Sequence, residues 1–207
     1  MKKIVAFLVA LTLGAAAYAQ TPEEIIDRME SEMEKFESEG MSLTMDLKIF
    51  LLGTISSTAY TLGDKARIEA EVMGKKVITW TDGQTEWTYE SADNVVRIKN
   101  ADPSKKSSEQ DNAELLNGIA DGYDVTLTRE TADAWYIRCK KSRSNTNKDD
   151  PKKMDLVVAK GTYYPVSLST EISGITVTLR NLAFHVTEKQ VTFDRADFPD
   201  ARIIDDR

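Results

Sequence analysis

The chain has 207 residues, a formal net charge of −7 at neutral pH and a hydrophobic content of 41%. This length suffices for one domain with a sizeable core, whereas the acidic balance disfavours nucleic acid as a partner and disfavours tight binding to an anionic membrane. The single cysteine, Cys139, excludes an intramolecular disulfide, and the single histidine, His185, gives little support for a histidine metal site or a nucleophile–base pair.

Residues 1–19 have the pattern of a secretory signal peptide. Two lysines give a positive start, residues 4–17 form an uncharged apolar run, and residues 17–19 (AYA) supply a small-x-small cleavage site. The run is shorter than the roughly 20 residues of a membrane-spanning helix. We therefore expect cleavage, export to a bacterial periplasm and a single mature domain over residues 20–207.

The mature chain is predicted to begin with a helix over residues 22–36. Thr21 can cap it, Pro22 suits the first helical position, and Glu24 completes a capping box. Apolar side chains then recur at helical spacing and form one stripe. Gly40 is a natural stop, so the helix is expected to pack one face on the rest of the domain.

After Gly40 the hydrophobic period changes to two, which indicates β-strands. The predicted strands cover residues 41–51, 54–62, 66–72, 76–81, 85–90, 95–99, 123–129, 134–141, 154–159, 162–172 and 175–184. Asp82-Gly83 is the strongest hairpin signal in the chain. A short helix is predicted over residues 108–119, where the alternation is lost. The pattern has no βαβ rhythm and predicts about ten or eleven antiparallel strands in one curved sheet, open or nearly closed into a barrel.

Motifs for catalysis or cofactor binding are weak in this sequence. We find no glycine-rich phosphate loop, serine elbow or Cys-x-x-Cys motif, and we predict no catalytic residue, metal or cofactor. Cys139 is expected in the core and His185 in a structural or surface role. The acidic pairs at residues 149–150 and 205–206 are expected to be solvated charges, although carboxylates leave a hydrolase open.

The predicted strands carry more apolar side chains than one helix of about 15 residues can cover. We predict that these side chains line an apolar cavity for a ligand. They are Met45, Leu47, Ile49, Ile68, Ala70, Val72, Ile78, Trp80, Trp87 and Tyr89. The hairpin strand that carries Trp87 is expected to face this cavity.

Four stretches of the chain resemble the LolA-like outer-membrane lipoprotein carrier family. They are the helix at residues 22–36 with the strand after it, residues 66–69 (ARIE), the hairpin at residues 81–89 (TDGQTEWTY), and the closing segment at residues 193–205. The hairpin is similar to the family's Asp-Gly-Lys/Gln-x-x-Trp-x-Tyr pattern and is the most specific of the four. The resemblance implies an unclosed β-barrel with helices covering its apolar concave face.

In function, the resemblance implies a periplasmic chaperone that shelters the acyl chains of lipoproteins between an inner-membrane donor complex and an outer-membrane acceptor. It also implies a helical lid, for which Leu115, Leu116 and Ile119 are the expected apolar contacts, and we expect a monomer. The family's Arg-Pro before the third strand is missing, because residues 62–65 read LGDK. A sensor with the same fold, or an enzyme acting on the cell envelope, remains an alternative, and the cargo is either a lipoprotein or another lipid-like molecule.

Overall fold

The computed structural model describes residues 20–51, 53–102 and 118–207. Helix α1 spans Pro22–Glu34 and a short 3-10 turn follows at Glu37–Glu39. The first six strands are β1 (Met41–Ile49), β2 (Gly53–Leu62), β3 (Lys65–Val72), β4 (Lys75–Thr81), β5 (Thr85–Glu90) and β6 (Val95–Asn100). The next five are β7 (Tyr123–Glu130), β8 (Ala134–Lys141), β9 (Lys153–Ala159), β10 (Pro165–Ile172) and β11 (Ile175–Phe184). Helix α2 (Glu188–Val191), a 3-10 turn (Arg195–Asp197) and β12 (Arg202–Asp205) complete the chain.

Helix α1 begins with the predicted capping box. The Thr21 hydroxyl accepts from the Glu24 amide at 3.2 Å, and the Glu24 carboxylate accepts from the Thr21 amide at 2.9 Å. Both amides lie in the first turn, where no carbonyl of the helix is available to them. The signal peptide predicted over residues 1–19 lies outside the described residues.

The twelve strands of the described residues form one sheet in the order β12-β6-β5-β4-β3-β2-β1-β11-β10-β9-β8-β7. Two antiparallel meanders, β1–β6 and β7–β11, join where β1 pairs with both β2 and β11. Among the described strands, β7 and β12 end the order and do not pair with each other, so the sheet is an unclosed barrel. The predicted fold is confirmed, with one strand more than expected: β12, which pairs with β6 in parallel.

The two faces of the sheet follow from the ladder registers, because directly paired residues project to the same side. We call the face under α1 the helix face. There Ile25, Ile26, Met29 and Met33 of α1 are buried on the strands β7–β11. The strand side chains in this core are Trp135, Ile137, Cys139, Met154, Leu156, Val158 and Leu168, with Leu179 and Phe184 packed beside them.

The other side, the tail face, carries the C-terminal segment at residues 186–201. Phe193 contacts Trp80 with a ring-centroid distance of 5.4 Å and stacks on Trp87 at 5.7 Å. Phe198 contacts Trp80 at 5.6 Å and Tyr89 at 4.5 Å. The segment therefore closes a second, aromatic core over β4 and β5.

The apolar side of the sheet changes between β3 and β4. On β1 to β3 the helix face carries Met45, Leu47, Ile49, Ile68, Ala70 and Val72, while polar residues such as Asp46 and Glu69 project to the tail face. On β4 to β6 the helix face carries mostly polar residues (Thr79, Thr81, Glu86, Thr88, Arg97 and Lys99), with Val77 and Val95 as the exceptions, while the other apolar residues project to the tail face. Because the apolar side changes, the core under α1 and the aromatic core over β4 and β5 lie on opposite faces of the sheet.

No helix in the described ranges is both long enough and apolar enough to cross a membrane.

Candidate lipid-binding face

The ten residues predicted to line one cavity are divided between the two faces. Met45, Leu47, Ile49, Ile68, Ala70 and Val72 project from the helix face. Ile78, Trp80, Trp87 and Tyr89 project from the tail face, because Trp80 pairs with Trp87 and with Arg67, and Ile78 pairs with Tyr89. Ile78 and Trp80 are buried there. These four residues do not share a surface with the other six.

The six helix-face residues belong to a mostly apolar surface, which we call the apolar strip and which includes one polar residue, Ser57, paired with Met45 and Ala70. Sequence reasoning missed five of its members, because their place on the strip follows from the pairing between strands, which the sequence of a single strand does not specify. The strip comprises Met45, Leu47, Ile49, Ile55, Ala59, Ile68, Ala70, Val72, Val77, Ile175 and Val177. Ile68 and Val72 retain exposed fractions of 47% and 41%, so the strip is not a packed core like the surface under α1.

Each side of the strip has a distinct boundary. On the β11 side, the strip ends at Leu179 and Leu168, which belong to the core under α1. On the β5 side, polar pairs replace apolar ones: Thr79 and Thr88 are joined by a hydroxyl hydrogen bond of 3.3 Å, and Lys99 pairs with Glu86 at 2.9 Å. The strip is therefore a limited apolar surface on β1 to β3 and the adjoining ends of β4 and β11.

Behind the strip, an ionic contact joins β1 to β11 on the tail face. Arg180 donates to Asp46 through Nε at 2.5 Å and Nη2 at 3.1 Å. The Ser56 hydroxyl also donates to Asp46, at 2.5 Å. These donors, Arg180 first, lower the pKa of Asp46 below its ordinary value. The contact ties together the three strands that carry most of the strip.

Of the predicted lid contacts, Ile119 lies in the described part of the chain, and Leu115 and Leu116 lie outside it. Ile119 is buried in the core under α1, and it lies in a turn at residues 118–121. Its amide donates to Glu30 of α1 at 3.3 Å. Burial raises the pKa of Glu30, with hydrogen bonds from residues 118 and 119 opposing the shift. Ile119 therefore packs against α1, on the same face of the sheet as the apolar strip.

The region where the family has Arg-Pro makes its contacts with the C-terminal segment. Lys65 forms an ion pair with Glu188 of α2. Arg67 donates to the Gln190 carbonyl at 3.5 Å and lies over the Trp80 ring at 5.5 Å. These cations therefore hold the segment on the tail face, away from the apolar strip.

The two side chains with catalytic potential lie apart from the strip. Cys139 is fully buried under α1, and burial raises its thiol pKa to about 11, so the reactive thiolate is suppressed. His185 is exposed, pairs with Glu39 and meets the Phe36 ring edge-on at 5.7 Å. Within the described ranges, no group of three or more His, Cys, Asp and Glu side chains could hold a metal ion.

An unclosed sheet with a helix on one face and an apolar surface beside it is the architecture that the predicted resemblance implies, and this architecture is confirmed. LprF from Mycobacterium bovis shares it, with a TM-score of 0.51 and 10% identity over 81% of this chain and 96% of LprF. An uncharacterized conserved protein from Thermus thermophilus matches 88% of this chain and 98% of its own, with 18% identity and a TM-score of 0.45.

A LolA superfamily protein from Nitrosomonas europaea is similar over 86% of this chain and 100% of its own, with 12% identity and a TM-score of 0.33. No protein-family model and no curated protein sequence matches the chain.

Proposed function

We propose that this protein is a periplasmic carrier that binds the acyl chains of lipoproteins, or another lipid-like cargo, on the apolar strip. The observation that carries the proposal is the strip itself. It is a mostly apolar surface on an ordered sheet, and two of its large side chains, Ile68 and Val72, are about half exposed. Soluble proteins rarely leave such a surface without a partner.

Binding on the strip is passive and depends on burial. Each methylene of an acyl chain that leaves water contributes about 0.8 kcal/mol. The strip spans about five residues along each of β1, β2 and β3, or roughly 15 Å, which provides length for part of an extended chain. Release requires an acceptor with a competing apolar site. By the resemblance, an inner-membrane complex supplies the cargo and an outer-membrane protein receives it.

The proposed role is binding without catalysis. Cys139 is enclosed in the core with a raised thiol pKa, and His185 is paired with Glu39 at the surface, so neither has a nucleophile–base partner. The export pattern at residues 1–19 supports the periplasmic location. We propose a monomer, in which the strip is available to cargo instead of to a second copy.

A pair of neighbouring substitutions in β3 tests the strip. Ala70 lies on the helix face, and Glu71 lies next to it on the tail face. Ala70→Arg places a long charged side chain on the strip, and we expect affinity for a fluorescent fatty acid to fall at least about tenfold. Glu71→Arg introduces the same side chain one position away and should bind the fatty acid like the wild type.

Circular dichroism of both variants checks that the fold is retained. Mass spectrometry of the gently purified wild type should find a bound lipid or acylated peptide. Equal fatty-acid binding by the Ala70→Arg variant and the wild type would contradict the placement of the site on the strip. Absence of any acyl ligand and of any fatty-acid binding would contradict the carrier proposal itself.

A further inference from the structure

Three neighbouring hairpins end at the same edge of the sheet. Their turns connect β1 to β2 (beginning at residues 50–51), β3 to β4 (residues 73–74) and β10 to β11 (residues 173–174). The strand order is β10-β11-β1-β2-β3-β4 with every pair antiparallel, so all three turns point the same way. We call this edge the tip edge.

The tip edge displays large apolar side chains in positions where polar residues are usual. Phe50 is 84% exposed, Leu51 is 89% exposed and Met73 is 93% exposed. Leu51 and Met73 have φ values of 67° and 53°, a conformation in which glycine or asparagine is normally found. The turn geometry therefore gives no reason for apolar residues at these positions, and neither does packing.

The apolar surface of the tip edge is continuous with the apolar strip. Ile49, Val72 and Ile175 are the last strip residues before the three turns, and Ile172 pairs with Ile175 on the same face. A hydrophobic path thus leads from the exposed tips into the strip.

The charge of the tip edge also differs from that of the whole chain. Three positive residues, Lys48, Lys75 and Lys76, lie beside the tips. Two negative residues, Glu71 and Glu171, lie at the same strand ends. Within the described part of the chain, Lys48 and Lys75 form no ion pair, whereas Lys76 pairs with Glu69 at 2.9 Å. The chain as a whole carries −7, whereas these three lysines outnumber the two glutamates, so repulsion from an anionic bilayer is weaker at this edge than the charge of the whole chain implies.

We propose that the tip edge docks weakly and reversibly on a lipid bilayer, inserting Phe50, Leu51 and Met73 into the interface so that acyl chains pass between the bilayer and the strip. This inference rests on the proposed carrier function. Three separate protrusions suit a soft bilayer better than a complementary protein surface, which would need one well-packed patch. Shallow insertion, about 5–10 Å deep, leaves the lysines and the turn backbones among the lipid headgroups.

Flotation with vesicles of phosphatidylethanolamine and phosphatidylglycerol tests the docking. We expect the wild type to bind measurably and the triple variant Phe50→Ser/Leu51→Ser/Met73→Ser to bind at least about tenfold more weakly. Val166→Ser is the matched control, because Val166 is 47% exposed at the start of β10, the opposite end from the tips. This control should bind vesicles like the wild type.

Two further measurements separate this proposal from the carrier function. Fatty-acid binding without vesicles should be equal in the triple variant and the wild type, because the tips lie outside the strip. Sedimentation of the two proteins without lipid should also be equal. The docking proposal fails if the triple variant floats like the wild type, if the wild type does not float, or if the tips instead mediate self-association. In each of these cases, intact fatty-acid binding by the wild type would still support the proposed carrier function.

Discussion

Phe193→Ala tests whether the aromatic core on the tail face is separate from the proposed cargo surface, the apolar strip. Phe193 is half-buried and contacts Trp80 at 5.4 Å, Trp87 at 5.7 Å and Phe198 at 6.0 Å. Truncation of a fully buried phenylalanine costs about 3–5 kcal/mol, and partial exposure reduces this to about 2–3 kcal/mol, including the lost ring contacts. For a domain of this size we expect the melting temperature to fall by about 5–10 °C.

The assay combines thermal unfolding, tryptophan emission and fatty-acid binding. Emission should shift to the red, because Trp87 loses its stacked ring and gains contact with water. Fatty-acid binding at a temperature well below unfolding should be unchanged, because Phe193 packs on the tail face. Phe50→Ala is the matched control: the same truncation at a site that is 84% exposed should leave the melting temperature unchanged. Loss of fatty-acid binding in Phe193→Ala without loss of stability would refute the assignment of the faces.

Two further outcomes follow from the ionic contact on β1 and from the candidate catalytic side chains. Asp46→Asn should lower the melting temperature at neutral pH by about 2 °C, since Arg180 and Ser56 favour the charged carboxylate. The folded-state pKa is lowered, so this contribution is present above the unfolded value of about 3.9 and lost as pH falls through the folded value; melting curves of both proteins should converge there. Cys139→Ser and His185→Ala should each retain wild-type fatty-acid binding, and loss of binding by either folded variant would contradict the non-enzymatic role.

Local signals in the sequence predict the elements of this fold well. The capping box of Thr21 and Glu24 is visible in four residues, and the helix begins where it predicts. Asp82 forms the predicted hairpin, with its carboxylate accepting from the Thr85 amide at 2.7 Å. Cys139, between charged neighbours in an alternating strand, is buried as predicted. In each case the interactions that decide the structure lie within a few residues, so a local pattern suffices.

The pairing register between strands, and therefore the face to which each side chain projects, could not be predicted from local patterns. Both Ile68 and Trp80 are apolar members of alternating strands, yet they project to opposite faces because the β3–β4 turn pairs Ile68 with Thr79. A shift of one residue in that register would exchange the faces, and nothing in either strand specifies the choice. The alternation of residues does not predict strand β12 for a related reason: four residues show no clear alternation, and their partner β6 lies about a hundred residues earlier, so only the family resemblance of the closing segment indicates a short strand ending in Asp205.

The separation of the two faces has a consequence for how cargo binding can work. A carrier must lose its ligand without losing its fold, so the groups that bind cargo cannot also supply most of the folding free energy. Here the buried aromatic core on the tail face and the core under α1 provide stability independently of the strip. In the proposed carrier, strip residues such as Ile68 would exchange water for acyl chains while Trp80, one strand away, stays packed on Phe193 and Phe198. The change of apolar side between β3 and β4 places the proposed cargo surface beside a packed aromatic core in the same sheet.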